Sequence, residues 1–328
     1  MSRALEPKPA SGLSDKRWWP WLKRLLSLVF FGLVAWLLVS QARAVEWSQV
    51  FLSLRAYPPS ALLVAVALAI ASLGLYSSFD LLGRRYTGHT LSVPRVMTVT
   101  FISYVFNLNL GSLIGGVAFR YRLYSRLGLA TGVITRILSL SMLTNWIGYL
   151  LLAGLVFSLQ PPTLPLGWKI DAAQLRLLGL LLVGLALAYL GLCAFSRQRS
   201  LVLRGHTIEL PSARLAGLQL LLGASNWLLM SGLIYGLLLQ RIAFPLVVSA
   251  LLLAAVAGVI THVPAGLGVL EAVFVALLSP LLPIHALLAA LLAYRVIYYL
   301  APLVLATGVY LLLEGRARQD GKPAPQPA

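Results

Sequence analysis

Charged side chains interrupt apolar stretches of this sequence at three places, and each can bind an anion or join an ion pair. Arg120 ends the run "GGVAFR", Glu271 follows "PAGLG", and Arg295 lies within "AYRVIYY". A charge near the centre of a bilayer costs at least about 2.5 kcal/mol on insertion scales, so such residues usually have a partner. Arginine suits a phosphate or carboxylate, because its planar guanidinium donates two parallel hydrogen bonds.

The position of each charged residue relative to a predicted helix start determines which kind of partner can stabilise it. Arg120 comes four residues after Gly116, near a helix start, where the helix dipole opposes a cation. Three alternatives satisfy Arg120: an ion pair with Glu271, a phosphate held together with helix N–H groups, or extension to the lipid headgroups. Glu271 either caps its own helix or binds a partner, and Arg295 has Glu271 as a candidate partner.

The composition places the chain in a membrane. Of 328 residues, 59% are hydrophobic and only 11% are charged, and the mean hydropathy is +0.88. Soluble domains carry roughly 25% charged residues, so this chain has too little polar surface for a soluble protein. The net charge of +17 then reflects basic cytoplasmic loops rather than nucleic-acid binding. The sequence shows no metal-ligand spacing and no nucleophile motif, so we expect no enzyme activity, no cofactor and no metal.

Apolar segments of about 20 residues predict an all-α polytopic membrane protein with about eight transmembrane helices. A single transmembrane domain is predicted over residues 22–313, between polar tails at 1–21 and 314–328 that we expect to be disordered. Two further apolar segments, near 107–119 and 262–282, are interrupted by glycine or proline. The predicted spans are residues 22–40, 60–82, 94–110, 136–159, 174–195, 215–239, 243–263 and 285–313.

The distribution of basic residues predicts the orientation. Twenty of the 26 lysines and arginines fall on one side of the predicted spans, so both termini are predicted to be cytoplasmic. Leu110 and Arg120 are only ten residues apart, and about 15 Å of helix cannot recross a core of about 30 Å. The first broken segment is therefore predicted to be a short or re-entrant hairpin. The second is predicted to be a marginal span or another re-entrant element, and both should face an interior site.

Other polar residues receive simpler interpretations. Arg122 and Arg126 share a helix face and are predicted to contact lipid headgroups at the interface. Asp80 and Arg84 have the spacing of a local ion pair. His262 is a second candidate for proton coupling beside Glu271. Asn145 and Asn226 lie inside predicted spans and are expected to form interhelical hydrogen bonds.

Four motifs together resemble the membrane region of the lysylphosphatidylglycerol synthase/flippase family, in particular its YbhN-like inner-membrane branch. They are "GGVAFRYRLYSRLGL", "TRILSLSMLTNWIGY", "HVPAGLGVLEAVF" and "AYRVIYY", and the resemblance covers roughly residues 21–314. It implies a role in moving lipids, possibly aminoacylated ones, between leaflets. Only about fifteen residues follow the last predicted span, so we expect no synthase domain. The positions that match a lipid site are Gly115, Gly116, Arg120, Gly266, Gly268, Glu271 and Arg295.

Two functions follow as hypotheses. In the first, the protein is a flippase or lipid transporter of the bacterial inner membrane, and its partners are membrane phospholipids. Arg120 and Arg295 hold the lipid phosphate, while Glu271 balances them in the empty site or binds a cationic headgroup. In the alternative, the protein is a non-transporting membrane scaffold for a lipid-synthesis enzyme, and its charges serve helix packing alone.

Overall fold

The computed structural model describes residues 47–164, 171–196, 200–203, 206–261, 263 and 266–320. The predicted first span, the amino-terminal tail and His262 lie outside these residues. From Gln49 onward the chain forms one compact unit. Its helices are α1 Trp47–Arg55, α2 Pro59–Ser77, α3 Phe79–Thr87, α4 Val93–Leu110, α5 Phe119–Arg126, α6 Thr131–Leu159, α7 Ala172–Phe195, α8 Ala213–Leu237, α9 Phe244–Thr261, α10 Val269–Leu278, α11 Ile284–Arg295 and α12 Ala301–Asp320.

The predicted helical membrane fold is confirmed. Within the described residues, six helical segments are long and apolar enough to span a membrane: 59–87, 131–159, 172–195, 213–237, 244–261 and 284–315. The other elements are two π-helical segments, Ser112–Ala118 and Val296–Leu300, and a short antiparallel hairpin of β1 Ser200–Leu203 and β2 His206–Glu209. Helix α12 continues to Asp320, so the predicted start of the carboxyl-terminal tail at residue 314 falls within a helix.

The first broken segment is a helical hairpin. Helix α4 ends at Leu110, the next residue Gly111 turns the chain with a φ of 86°, and the π-helical segment Ser112–Ala118 leads back into α5. The rings of Phe106 and Phe119 stack at 4.3 Å, which pairs the two arms in antiparallel fashion. The hairpin as a whole therefore begins and ends on the same side of the helix bundle, as the sequence predicts.

The second broken segment is also a hairpin. Helix α9 packs against α10, and residues 262–268 separate them. The chain leaves α8 at Leu237–Arg241 and returns at Leu282–Pro283, and residues of both stretches line one cavity. Helix α10 has only 10 residues, or about 15 Å of length, which is half of a bilayer core of about 30 Å. The re-entrant alternative is therefore the one that the structure shows.

The two hairpins enter the helix bundle from opposite ends. Helix α8 begins beside the base of the first hairpin, where Leu215 packs with Leu82 and Leu140. It ends at Leu237, beside the base of the second hairpin. Its 25 residues extend about 37 Å, enough to cross a bilayer. We call the end that carries Arg84, Arg95, Arg126 and Arg136 the basic end, and the other the opposite end.

Close packing of the first hairpin depends on Gly115. A Cβ at this position would overlap the backbone of Phe106 and Asn107 in the facing arm. We therefore expect Gly115→Ala to force the arms apart and to lower the free energy of unfolding by about 1–3 kcal/mol, the usual cost of overpacking. Gly132→Ala is the matched control, because a Cβ there meets no atom within 4 Å. Unfolding by SDS titration should separate the two variants, and equal stability would show that the arms are not packed this closely.

Candidate functional site

A cavity of about 250 Å³ lies between the two hairpins. The first hairpin contributes Tyr104 and Asn107, and the second contributes Gly258 and Gly266. Pockets for drug-sized ligands measure about 300–1,000 Å³, so this cavity suits a headgroup and not the acyl chains of a phospholipid. The lining residues outside the two hairpins come from α2, α6, α8 and the second π-helical segment, and they are Tyr76, Asn145, Trp146, Trp227, Met230 and Tyr299.

Aromatic rings and two amides lie among aliphatic residues in the cavity wall, and buried hydrogen bonds fix part of it. The hydroxyl of Tyr298 lies 2.8 Å from Ser72 Oγ and 3.0 Å from the hydroxyl of Tyr104. Ser72 Oγ donates to Asn226 Oδ1 at 2.8 Å, which confirms the expected interhelical bond of Asn226. These bonds join α2, α4, α8 and the last π-helical segment, so a polar network holds both the first hairpin and the carboxyl-terminal helices around the cavity.

Glu271 and Arg295 form a bidentate ion pair beside this cavity. Arg295 Nε donates to Glu271 Oε1 at 2.5 Å, and Nη2 donates to Glu271 Oε2 at 3.0 Å. Nη2 also lies 3.0 Å from the carbonyl oxygen of Gly266, and the guanidinium stacks on Tyr299 at 5.4 Å from the ring centre. Gly266 and Tyr299 line the cavity. The predicted partnership of Glu271 with Arg295 is confirmed.

The depth of this ion pair matches a midplane site. Arg295 follows Ile284, the first residue of α11, by eleven positions, which is about 17 Å along the helix and close to half of a bilayer core. The Glu271 and Arg295 side chains keep 20% and 11% of their surface exposed. The pair is therefore shielded but reachable, and a phosphate can compete with Glu271 for the guanidinium.

Arg120 pairs with Asp80 and not with Glu271, which was one of the three alternatives that the sequence left open for it. Its Nε donates to Asp80 Oδ2 at 3.0 Å, and it also bonds to Gly116 O and Ser141 Oγ. The two charged side chains are 3% and 0% exposed. Tyr124 donates a further hydrogen bond of 2.9 Å to Asp80. Arg120 is thus a fully satisfied structural cation at the base of the first hairpin.

Four other charged residues have protein partners that the sequence did not predict. Asp80 is engaged by Arg120, whereas Arg84 Nε donates to the carbonyl oxygen of Leu91 at 2.7 Å. Arg122 and Arg126 both bind the carboxylate of Glu314 on α12. Their side chains remain 52% and 42% exposed, so headgroup contact stays a prediction while the pair to Glu314 fastens α5 to α12.

The four glycines of the predicted site separate into two roles. Gly115 and Gly116 pack against Asn107 of the facing arm, and Gly116 O accepts from Arg120. These two glycines allow the arms of the first hairpin to pack closely, and neither is among the residues that line the central cavity. Gly266 and Gly268 adopt φ values of 57° and 77° at the tip of the second hairpin. That backbone turn aims Gly266 O at Arg295.

Sequence reasoning missed most of the cavity wall. Tyr76, Tyr104 and Trp227 resemble ordinary core residues when each helix is considered alone. Only the fold brings them together, since they lie on three helices separated by up to 151 positions. A usable signal was present at Asn107, because an amide next to a glycine-rich break inside an apolar segment needs a polar partner or a wet cavity.

Comparison with known proteins agrees with this architecture. Residues 24–306 match the family model described as "Lysylphosphatidylglycerol synthase TM region". The chain belongs to this family. It is 46% identical over 302 residues to inner membrane protein YbhN of Escherichia coli, covering 92% of this chain and 95% of that protein. It is 32% identical over 282 residues to the uncharacterized protein slr0712 of Synechocystis, covering 84% of this chain and 87% of that protein. The protein is thus a multi-pass membrane protein of this family.

The buried pair at the base of the first hairpin should dominate stability. Asp80→Asn leaves the Arg120 guanidinium buried without its counter-charge, which typically costs about 3–5 kcal/mol. We expect the SDS unfolding midpoint to fall accordingly, and the double variant Asp80→Asn/Arg120→Gln to recover part of the loss. Glu314→Gln is the matched control, because its arginine partners reach solvent. Equal destabilisation by Asp80→Asn and Glu314→Gln would contradict the assignment.

Proposed function

We propose that the protein moves phospholipids between the leaflets of a bacterial inner membrane, with both termini in the cytoplasm. The observation that carries the proposal is the mid-depth cavity between two hairpins that enter from opposite ends, beside the Glu271–Arg295 pair. Broken helices that meet near the bilayer centre are the usual construction of a transporter's substrate site. The family match and the inner-membrane relative support a membrane role.

The ion pair provides a site that works in two states. In the empty state, Glu271 neutralises Arg295. A lipid phosphate then replaces Glu271 as the partner of Arg295, because a guanidinium binds both anions in the same bidentate geometry. Glu271, released from Arg295, can receive a proton or bind a cationic headgroup. Arg120 takes no part in this exchange, since Asp80 already satisfies it.

The hairpin tips provide a route for the acyl chains. Leu113 and Ile114 at the first tip are 79% and 56% exposed, and Leu267 at the second tip is 48% exposed. Exposed apolar residues within the bilayer core contact lipid tails at no cost, because lipid tails are as apolar as leucine. A headgroup inside the cavity therefore leaves its chains in the bilayer, and lipid movement needs no enclosure of the whole molecule.

Lipid movement should depend on Glu271. In liposomes with trace fluorescent phospholipids and an impermeant quencher, we expect the wild-type protein to expose inner-leaflet lipid with headgroup selectivity. Glu271→Gln should slow this exposure by about tenfold or more, a change of only about 1.4 kcal/mol in barrier height, because Arg295 then lacks its counter-ion in the empty state. Glu314→Gln is the matched control and should retain the wild-type rate.

A neutral double variant separates transport from packing. Glu271→Gln/Arg295→Gln removes both charges and leaves no unpaired ion, so its stability should exceed that of Glu271→Gln while lipid movement stays lost. Folded wild-type protein that moves no lipid of anionic, zwitterionic or lysylated headgroup would contradict the proposal. That result would favour the non-transporting scaffold instead.

A further inference from the structure

A second cavity, of about 230 Å³, lies at the opposite end of the bundle. It is formed where α8 leads into the second hairpin and where that hairpin leads into α11. Its polar lining residues are Ser53, Tyr57, Arg241 and His285. The central cavity shares none of these residues, so this is a separate site.

Arg241 brings a positive charge to this cavity. The basic residues of the predicted topology are concentrated at the other end, so an arginine kept here stands out. Among the described residues, no carboxylate forms an ion pair with it, whereas Arg120, Arg122, Arg126 and Arg295 each have one. The charge is thus available to a ligand.

An unusual turn places Arg241 at the cavity. Leu239 and Gln240 have φ values of 52° and 58°, a left-handed conformation that non-glycine residues rarely adopt. The turn is closed by hydrogen bonds from Gln240 N to Tyr235 O and from Arg241 N to Leu238 O. Consecutive strained residues persist only where the surrounding structure holds them, which is common at binding sites.

Tyr57 lines the same cavity as Arg241 and supplies no negative charge to it. Its hydroxyl donates to the carbonyl oxygen of Leu237 at 2.6 Å. Burial raises the pKa of Tyr57 to about 12, although the nearby Arg241 guanidinium acts in the opposite direction. The phenol therefore stays neutral near pH 7, so it offers Arg241 no negative charge.

The start of α11 adds donors to the same cavity. Pro283 is the N-cap residue and supplies no side-chain acceptor to the first turn. The first N–H groups of a helix lack partners within the helix, and its dipole favours an anion there. The imidazole of His285 lines the cavity at this point and can donate as well.

We propose that this cavity binds the phosphate group of a phospholipid headgroup, with Arg241 as its main ligand and His285 and the α11 amino terminus as supporting donors. A phosphate accepts several hydrogen bonds at once and suits both a guanidinium and a helix amino terminus. This site does not depend on lipid movement, so it can exist whether or not the proposed function holds.

Native mass spectrometry of the purified full-length protein tests the site. The probes are phosphatidylglycerol, diacylglycerol as its phosphate-free counterpart, and glycerol 3-phosphate as a soluble phosphate. We expect phosphatidylglycerol to bind, diacylglycerol not to bind, and Arg241→Gln to weaken phosphatidylglycerol binding at least fivefold. Arg176→Gln is the matched control, because Arg176 is exposed at the start of α7 and lines neither cavity.

Further variants keep the test decisive. Ala286→Leu fills the cavity without changing any charge and should also weaken binding, even if Arg241→Gln proves unstable. Binding should persist in Glu271→Gln/Arg295→Gln, which removes the proposed phosphate ligand of the central site and so isolates the second cavity. Arg241-dependent binding of glycerol 3-phosphate alone would support the phosphate site and identify a soluble source. Unchanged binding in both Arg241→Gln and Ala286→Leu, or loss only in Glu271→Gln/Arg295→Gln, would overturn the proposal.

Discussion

A chain that turns back inside a bilayer leaves backbone groups without helical partners, and lipid offers none. The rest of this structure depends on meeting that constraint. At the second turn, Arg295 donates to Gly266 O. At the first, Asn109 Nδ2 donates to Val105 O at 2.8 Å and lies 3.4 Å from Tyr299 O in the facing π-helical segment. A side chain thus joins each hairpin to another part of the bundle: Asn109 of the first reaches Tyr299 O, and Arg295 reaches Gly266 O of the second.

Two ion pairs fasten the hairpins, and their surroundings give them different roles. Arg120 on the first hairpin binds Asp80 of α3, where both side chains are almost fully buried. Removal of either charge would leave the other buried without a counter-ion, so this pair holds the first hairpin in place. Glu271 on the second hairpin binds Arg295 of α11, but this pair keeps partial exposure beside the cavity. The less buried pair is the one that can exchange partners.

Much of this architecture could be predicted from the sequence, because it follows from the bilayer itself. The lengths of the apolar segments predict the spanning helices that the structure describes. The short interval between Leu110 and Arg120 requires a hairpin. The pair of Glu271 with Arg295 was foreseeable, since few acids lie at membrane depth. The bond of Arg120 to Asp80 was not, because the spacing of Asp80 and Arg84 favours a local pair on one helix. Only the tertiary fold brings α3 to the base of the first hairpin.

The other contacts that the sequence does not predict join residues that are far apart along the chain. Glu314 binds Arg122 and Arg126 across about 190 positions, because α12 returns to the basic end beside α5. The cavity wall is assembled in the same way from six parts of the chain. Periodicity identifies which residues share a helix face, but it does not determine which helices meet.

The opposed entry of the two hairpins is the central claim, and side-specific labelling tests it most directly. Cysteines would replace Ser125 at the base of the first hairpin and Ser279 at the base of the second, both exposed, in a variant that lacks Cys193, the single cysteine of the chain. An impermeant maleimide would then be applied to right-side-out and inside-out membrane vesicles. The account predicts labelling of Ser125→Cys only in inside-out vesicles and of Ser279→Cys only in right-side-out vesicles. Labelling of both positions from the same side would contradict it.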